Sequence, residues 1–342
     1  MPVTAPAAPL RRSVPLPTPE DLATARATVL AVLPPTPLVP SPAAGPSVWL
    51  KLETFQPTGS FKVRGALAAC AALPPGSRIV TASAGNHGLG MGWASGRLGI
   101  PATIVVAETA SPAKRDAIAR MPVDLILHGT SVDAAEAFAM ELAADPARAA
   151  TTTYVSPYND PQVIAGQSTV LDEIVMQHPG DGDGRPLTVI AGVGGGGLVA
   201  GLSMRARELS SPDRPIRIVG IEAAASTALS AAVQAGDTVE IPIGETIADG
   251  LSGNLEPGTI TAGIIARNDV RLATAAETEI HRAIRWLVRN HGLVAEGAGA
   301  TPLAALLSGT AGAIEGDVVV IISGRNIALP KLASILNEVD AR

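Results

Sequence analysis

The sequence predicts an α/β protein of two lobes, each a mostly parallel, twisted sheet flanked by helices. Short β-branched runs alternate with Ala- and Leu-rich helical stretches almost throughout the 342 residues, the pattern of parallel strands joined by crossover helices. That length exceeds one small core and suits two. Apolar residues make up 47% of the chain and charged ones 16%, yet aromatics only 2%. The core must therefore be built from Ala, Val, Leu, Ile and Gly, which favours close helix-on-sheet packing.

Residues 1–19 are rich in Pro and Ala and lack the apolar core of a signal peptide. Residues 34–46 read as a loop entering the first strand, 48–52. A helix over 63–72, a strand over 79–82, a helix over 88–97 and a strand over 103–106 follow. Next come a helix over 114–120, a strand over 125–127 and a helix over 132–144. At 151–167 the helical pattern stops and Pro157 and Pro161 follow, which marks a junction between lobes. The expected division is a large domain of residues 1–55 and 157–342 and a small domain of 56–156. Residues 181–186 read as a surface turn, followed by a strand over 188–191 and a helix over 198–209. A strand over 216–221, helices over 277–290 and 302–307, and a strand over 318–322 complete the chain.

The uncharged run 186–204 is long enough to span a membrane, but Gly194, Gly195, Gly196 and Gly197 make it a poor helix. Net charge is −6, with no basic cluster beyond Arg11-Arg12, which argues against nucleic acid. The single cysteine, Cys70, rules out an internal disulfide and any zinc spacing, and reads as a small buried hydrophobe. Together these features predict a cytoplasmic protein without membrane or nucleic-acid partners.

Four segments carry chemistry. In Thr58-Gly-Ser-Phe-Lys62-Val-Arg-Gly-Ala66 a lysine sits among small and apolar residues where a turn gives way to a helix. Partial desolvation disfavours its ammonium form and frees the amine as a nucleophile; the plainer alternative is a helix N-terminus whose lysine reaches water. Residues 192–197 form a loop between strand and helix in which five of six positions are glycine. Backbone amides there can close around a phosphate, aided by the helix N-terminus. Gly192, Gly194 and Gly197 also satisfy G-x-G-x-x-G, and Glu222 ends the next strand, so a dinucleotide site is an alternative. The loop's mid-chain position and the Lys62 segment count against it. Thr81-Ala-Ser-Ala-Gly-Asn-His-Gly88 follows a strand and opens a helix. It offers anion-holding donors and the Asn86 amide, or else simply Ser83 or Asn86 as an N-cap. Ser323-Gly-Arg-Asn326 brings a hydroxyl to the carboxyl edge of the last strand, where ligands bind in such sheets. His281 and His291 lack partner spacing for a metal and read as surface or capping residues.

In this order, the four segments resemble those of the pyridoxal-phosphate (PLP) dependent threonine/serine dehydratases and related serine racemases, from about residue 15 to the C-terminus. The resemblance implies the fold type II architecture, with PLP in the cleft between the lobes. It implies that Lys62 bonds covalently to the cofactor and that Phe61 packs beside the ring. Asn86 would hydrogen-bond the ring oxygen, Gly194, Gly195, Gly196 and Gly197 would hold the phosphate, and Ser323 would meet the pyridine nitrogen. Gly250 would line the cofactor's face and Glu296 the pocket. Ser83, Ala84, Gly85, Asn86 and His87 would grip the substrate carboxylate, and Lys62 and Ser83 would be catalytic. The implied activity is conversion of L-threonine or L-serine to a 2-oxo acid and ammonia, and the implied assembly a homodimer. Another reaction of the same fold, such as a β-replacement or synthase step, is the alternative, with a nicotinamide oxidoreductase more distant.

Departures sharpen the assignment. The racemases carry a second serine after Ser83, where this chain has Ala84. Some relatives bind a divalent metal with an acid at Glu222 and another six residues on; here that second position is Ala228, so no metal is expected. Threonine synthases follow the lysine with an acid, where this chain has Val63. Arg325 and Ser168 stand where relatives usually have glycine. Control by an end-product amino acid is not expected, since the chain stops soon after its last strand.

Overall fold

The computed structural model describes residues 11–180 and 184–338. The first ten residues of the Pro/Ala-rich segment and the first half of the turn expected at 181–186 lie outside the described residues. Two sheets organise the chain. The larger contains β1 (Leu38–Pro40), β2 (Val48–Leu52), β7 (Leu187–Gly192), β8 (Ile216–Ala223), β9 (Arg271–Ala275) and β10 (Asp317–Ile322), in the order β1-β2-β10-β7-β8-β9. All its pairings are parallel except β1 with β2. The smaller contains β3 (Arg78–Ala82), β4 (Ala102–Val106), β5 (Asp124–Leu127) and β6 (Thr152–Tyr154), all parallel, in the order β5-β4-β3-β6. The α/β architecture with two helix-flanked parallel sheets is the one the alternation predicts.

Side chains alternate across a strand, so a strand buried on both faces needs two apolar sets. β10 supplies both. Val318, Val320 and Ile322 face a core with Ile284 and Leu287 of α10 (Glu277–His291) and Leu303 of α11 (Gly297–Ser308). Val319 and Ile321 face the opposite core, with Ile164 and Leu171 of α6 (Pro161–Gln177) and Leu202 of α7 (Gly197–Leu209). In register, Val320 pairs with Leu50 and with Ile190. A further core joins α1 (Pro19–Val32), α2 (Lys62–Ala71) and α3 (Asn86–Leu98) to the starts of β3 and β4 in the smaller sheet. The remaining helices are α4 (Pro112–Ala119), α5 (Val132–Ala144), α8 (Ala228–Ala235), α9 (Ile260–Arg267) and α12 (Leu329–Leu336).

Two expectations are corrected. The loop at 34–46 contains β1, an edge strand that ends in Pro40; an edge position tolerates the missing N–H. Pro161 does not break a helix but starts one: it occupies the first turn of α6, and the Asp160 side chain caps the amides of Gln162 and Val163. The uncharged run 186–204 is β7, the glycine loop and the start of α7. Among the described residues no helix is long and apolar enough to cross a membrane. Cys70 is fully buried, and burial pushes its thiol up to about 12.

The turn from β2 into α2 is anchored by four charged residues with fully buried side chains. Arg64 donates to Glu53 at 2.7 and 2.8 Å and to Glu173 at 2.7 Å. Lys51 donates to Glu173 at 2.6 Å and to the Thr36 carbonyl at 2.7 Å. Burial alone would raise the Glu53 carboxyl, but the Arg64 and Lys51 charges hold it below its ordinary range. The two cations and two anions neutralise one another, and their geometry fixes Arg64 two residues beyond Lys62.

Candidate active site

Parallel strands end together, so β2, β7 and β10 deliver their following segments to one edge of the larger sheet. The Lys62 segment leaves β2, the glycine loop leaves β7, and Ser323 leaves β10. Direct hydrogen bonds lock the first to the last. The Phe61 amide donates to the Ser323 carbonyl at 3.0 Å, Ser60 bridges Gly324, and the Arg325 amide donates to the Gly59 carbonyl at 2.9 Å.

Lys62 opens α2 with a half-buried side chain. Its Nζ donates to the Pro157 carbonyl at 2.7 Å and lies 5.4 Å from the centre of the Phe61 ring. Desolvation lowers the amine to about 8, partly opposed by the charge of Glu296. This is the partly desolvated lysine that the motif predicts. Gly90 of α3 makes the approach possible, because a Cβ there would lie 3.2 Å from the Lys62 carbonyl.

The glycine loop has two kinds of constraint. Gly196 has φ +83°, in the left-handed region that glycine adopts without strain. At Gly195 the ring of Tyr158 is the obstacle, since a Cβ would stand 2.2 Å from its Cγ. Thr261 fixes the loop further by donating to the Gly195 carbonyl at 2.8 Å. No described residue accepts from the amides of Gly194, Gly195, Gly196 or Gly197. Gly250 sits on a short 3-10 turn, Asp249–Leu251, with its carbonyl 3.2 Å from where a Gly194 Cβ would be.

Ser83 and Asn86 do not cap α3; Gly85 occupies that position without a side-chain bond. Ser83 Oγ instead accepts from the Gly85 amide at 3.2 Å. The Asn86 Nδ2 donates to Glu296 Oε1 at 2.6 Å, and its Oδ1 accepts from Asn326 Nδ2 at 2.6 Å. The amides of Ala84, Asn86 and His87 have no acceptor among the described residues. The His87 ring is buried, with Nε2 3.0 Å from Thr81 Oγ1. Burial, reinforced by the Lys62 charge, lowers it to about 3, so it is neutral. The site receives the backbone of His87 rather than its ring. Glu296 is 6% exposed, and burial raises its carboxyl to about 7 despite the Asn86 hydrogen bond. Ser323 is buried, and no described residue pairs with its hydroxyl. Arg325 is exposed.

The structure thus brings Lys62, Phe61, Asn86, the glycine loop, Gly250, Glu296 and Ser323 to one place. A cavity of about 450 Å³ opens beside them, lined by Ser83, Ala84, Thr109, Lys114, Asp249, Glu296 and Asn326 among others. Lys114 Nζ meets Asp249 Oδ2 at 2.8 Å across it. Sequence reasoning missed Pro157, Tyr158 and Asn326 as neighbours of these residues. Both tyrosines of the chain, Tyr154 and Tyr158, fall in one short Pro-containing stretch, and that scarcity was a signal. Elsewhere, Glu222 accepts from the amides of Leu229 and Ser230 and from the Ser230 hydroxyl, so it caps α8. Among the described residues no group of His, Cys, Asp or Glu could hold a metal ion.

Comparison with known proteins shows the family. Residues 29–324 match the family model described as pyridoxal-phosphate dependent enzyme. The chain is 35% identical over 295 residues to an L-threonine ammonia-lyase of Geobacter sulfurreducens, covering 85% of this chain and 70% of that one. It is 34% identical over 327 residues to a catabolic L-threonine dehydratase of Staphylococcus aureus, covering 92% and 91% respectively. The maize serine racemase structure superposes with a TM-score of 0.82 at 26% identity, covering 94% of this chain and 97% of that one. On motif order, site geometry and these likenesses together, the chain belongs to the pyridoxal-phosphate dependent enzymes, in the threonine/serine dehydratase family.

Proposed function

We propose that this protein is a PLP-dependent ammonia-lyase that converts L-threonine, L-serine or both to the 2-oxo acid and ammonia. One observation carries the reading: the Lys62 amine, the unclaimed amides of Gly194, Gly195, Gly196 and Gly197, and the unpaired Ser323 hydroxyl converge on one sheet edge. These groups fit PLP, whose aldehyde needs an amine, whose phosphate needs clustered N–H donors and whose ring nitrogen needs a partner. Bound there, PLP supplies an electron sink for the charge that develops at the substrate Cα.

The chain's own residues supply the rest. Lys62, whose amine is available near neutral pH, takes the Cα proton at Nζ. The free amides of Ala84, Asn86 and His87, at the start of α3, hold the substrate carboxylate, helped by the helix dipole. Ser83 stands beside them with its hydroxyl turned to the Gly85 amide. Asn86, tied to Glu296 and Asn326, has a second N–H for the ring oxygen. With a serine rather than a carboxylate at position 323, the chain would offer the ring nitrogen a weaker proton partner, which suits elimination over transamination. At position 84 an alanine offers no proton for the opposite face of Cα, so racemisation is disfavoured.

We place the substrate between a large domain of residues 1–55 and 157–342 and a small domain of 56–156. A homodimer acting in the cytoplasm is part of the same proposal, and sedimentation velocity tests the dimer. For the cofactor assignment, the test is reconstitution with PLP. The wild-type chain should turn yellow with a visible absorbance band, and Lys62→Ala should not; an equal band in both would overturn the role of Lys62.

A further inference from the structure

Arg12, in the segment ahead of α1, is the centre of a polar cluster far along the chain from any chemistry-bearing motif. Its Nε donates to Glu256 Oε1 at 2.6 Å and its Nη2 to Oε2 at 3.1 Å, a two-point pairing. The same Nη2 reaches the Asn159 carbonyl at 2.8 Å, and the guanidinium lies 4.7 Å over the Tyr154 ring. Glu256 is 4% exposed and fully engaged. Its Oε2 accepts from the Ser156 hydroxyl at 3.1 Å, and its amide donates to the Tyr158 hydroxyl at 2.5 Å. Asn159 is held in turn, its amide on Ser156 Oγ at 3.1 Å and its Oδ1 on the Ile260 amide at 3.0 Å.

Apart from the Arg12–Glu256 pairing itself, the hydrogen bonds of this cluster all involve Ser156, Tyr158 or Asn159 of the segment Ser156-Pro157-Tyr158-Asn159. That segment has two outputs toward the site. The Pro157 carbonyl takes the Lys62 ammonium, and the Tyr158 ring lies against Gly195. A segment without secondary structure of its own keeps such a position only if other groups fix it. We propose that Arg12 and Glu256 form a positioning pair, which holds residues 156–159 so that the Pro157 carbonyl and the Tyr158 ring stay in register with Lys62 and the glycine loop.

The inference rests on the reading of Lys62 and the glycine loop as the PLP site. A purely structural ion pair would contribute to stability and nothing more, so the test needs readouts that stability does not move. Full-length Arg12→Ala, Arg12→Lys and Glu256→Gln are compared with wild type. The readouts are the PLP dissociation constant, the pH midpoint of Lys62 acetylation in the apo-protein by mass spectrometry, and the melting temperature. Arg12→Ala should bind PLP about tenfold more weakly or worse, the loss expected when one bond of a charged network goes. Its Lys62 midpoint should move upward as water enters. Arg12→Lys should recover only part of the affinity, because an ammonium keeps the charge but not the fork. PLP affinity and Lys62 midpoint both within twofold of wild type, with only a lower melting temperature, would overturn the proposal. Should Arg12→Ala not fold, Glu256→Gln, which keeps shape and hydrogen-bonding oxygen, is judged by the same two criteria. If wild type takes up no PLP, the cofactor reading fails, and the Lys62 midpoint in the apo-protein still decides whether the pair positions the amine.

Discussion

The Lys62 ammonium donates to the backbone carbonyl of Pro157 at 2.7 Å, joining the start of α2 to the segment that follows β6. A carbonyl acceptor holds the amine without neutralising it, unlike a carboxylate. One N–H suffices for this contact, so the carbonyl can orient the nitrogen while its other positions stay available.

Burial of that amine makes apo-protein stability depend on pH. The Lys62 amine is lowered from 10.5 to about 8, so between those values the unfolded chain holds a proton that the folded chain has released. Stability contributed by this group therefore rises with pH across that window. Lys62→Met should remove the rise: its advantage over apo wild type is greatest below pH 8 and fades by pH 10.5. Urea unfolding at a series of pH values measures this, and parallel profiles for the two proteins would contradict it.

Glycine at position 195 is required by a neighbour rather than by its own backbone. A methyl group there would stand 2.2 Å from the Tyr158 ring. Gly195→Ala should displace either the ring or the loop amides and weaken PLP binding by about tenfold or more, a misplacement effect of the kind expected for preorganised sites. Equilibrium dialysis against PLP checks it.

Removing Arg64 leaves Glu53 and Glu173 buried with Lys51 as their remaining cation. Arg64→Met should cost about 3–5 kcal/mol of unfolding free energy, because the loss of one member strands an uncompensated buried charge. Denaturant unfolding of the apo-protein is the measurement, and a change under about 1 kcal/mol would show that the cluster relaxes or admits water.

In the proposed PLP site, Ser323 would stand opposite the ring nitrogen in place of a carboxylate and so limit its protonation. Ser323→Asp should raise side reactions relative to elimination, since a carboxylate strengthens the electron sink. Product partition between 2-oxo acid and transamination or racemisation products tests this, and an unchanged partition would sink the idea.

The parts of the site legible in the sequence are those written locally. A β-branched run followed by glycines, as at 188–197, announces both its strand end and its helix start. Parallel strands end together, which is the physical reason the segments that carry the family resemblance bring Lys62, Gly194 and Ser323 to one sheet edge. What escaped depends on contacts distant in sequence. The Arg12 side chain meets Glu256 across 244 residues, and nothing local marks either as special. Helix α6 escaped because Pro161 looks like a stop until Asp160 is recognised as its cap. β9 escaped because Arg271-Leu-Ala-Thr-Ala275, an edge strand with one buried residue and the rest half-buried or exposed, lacks a β-branched run. His87 was legible as part of a motif, but the motif does not say whether ring or backbone faces the cleft. Burial of the ring against Thr81 decides that.

The most direct test of the central claim is release of 2-oxo acid from L-threonine and L-serine by the purified, PLP-loaded protein. Turnover of either, lost in Lys62→Ala by about 10²–10⁴-fold or more, is the predicted result for a positioned proton-transfer group. A PLP-loaded wild-type protein that releases 2-oxo acid from neither, or a Lys62→Ala protein as active as wild type, would contradict the account.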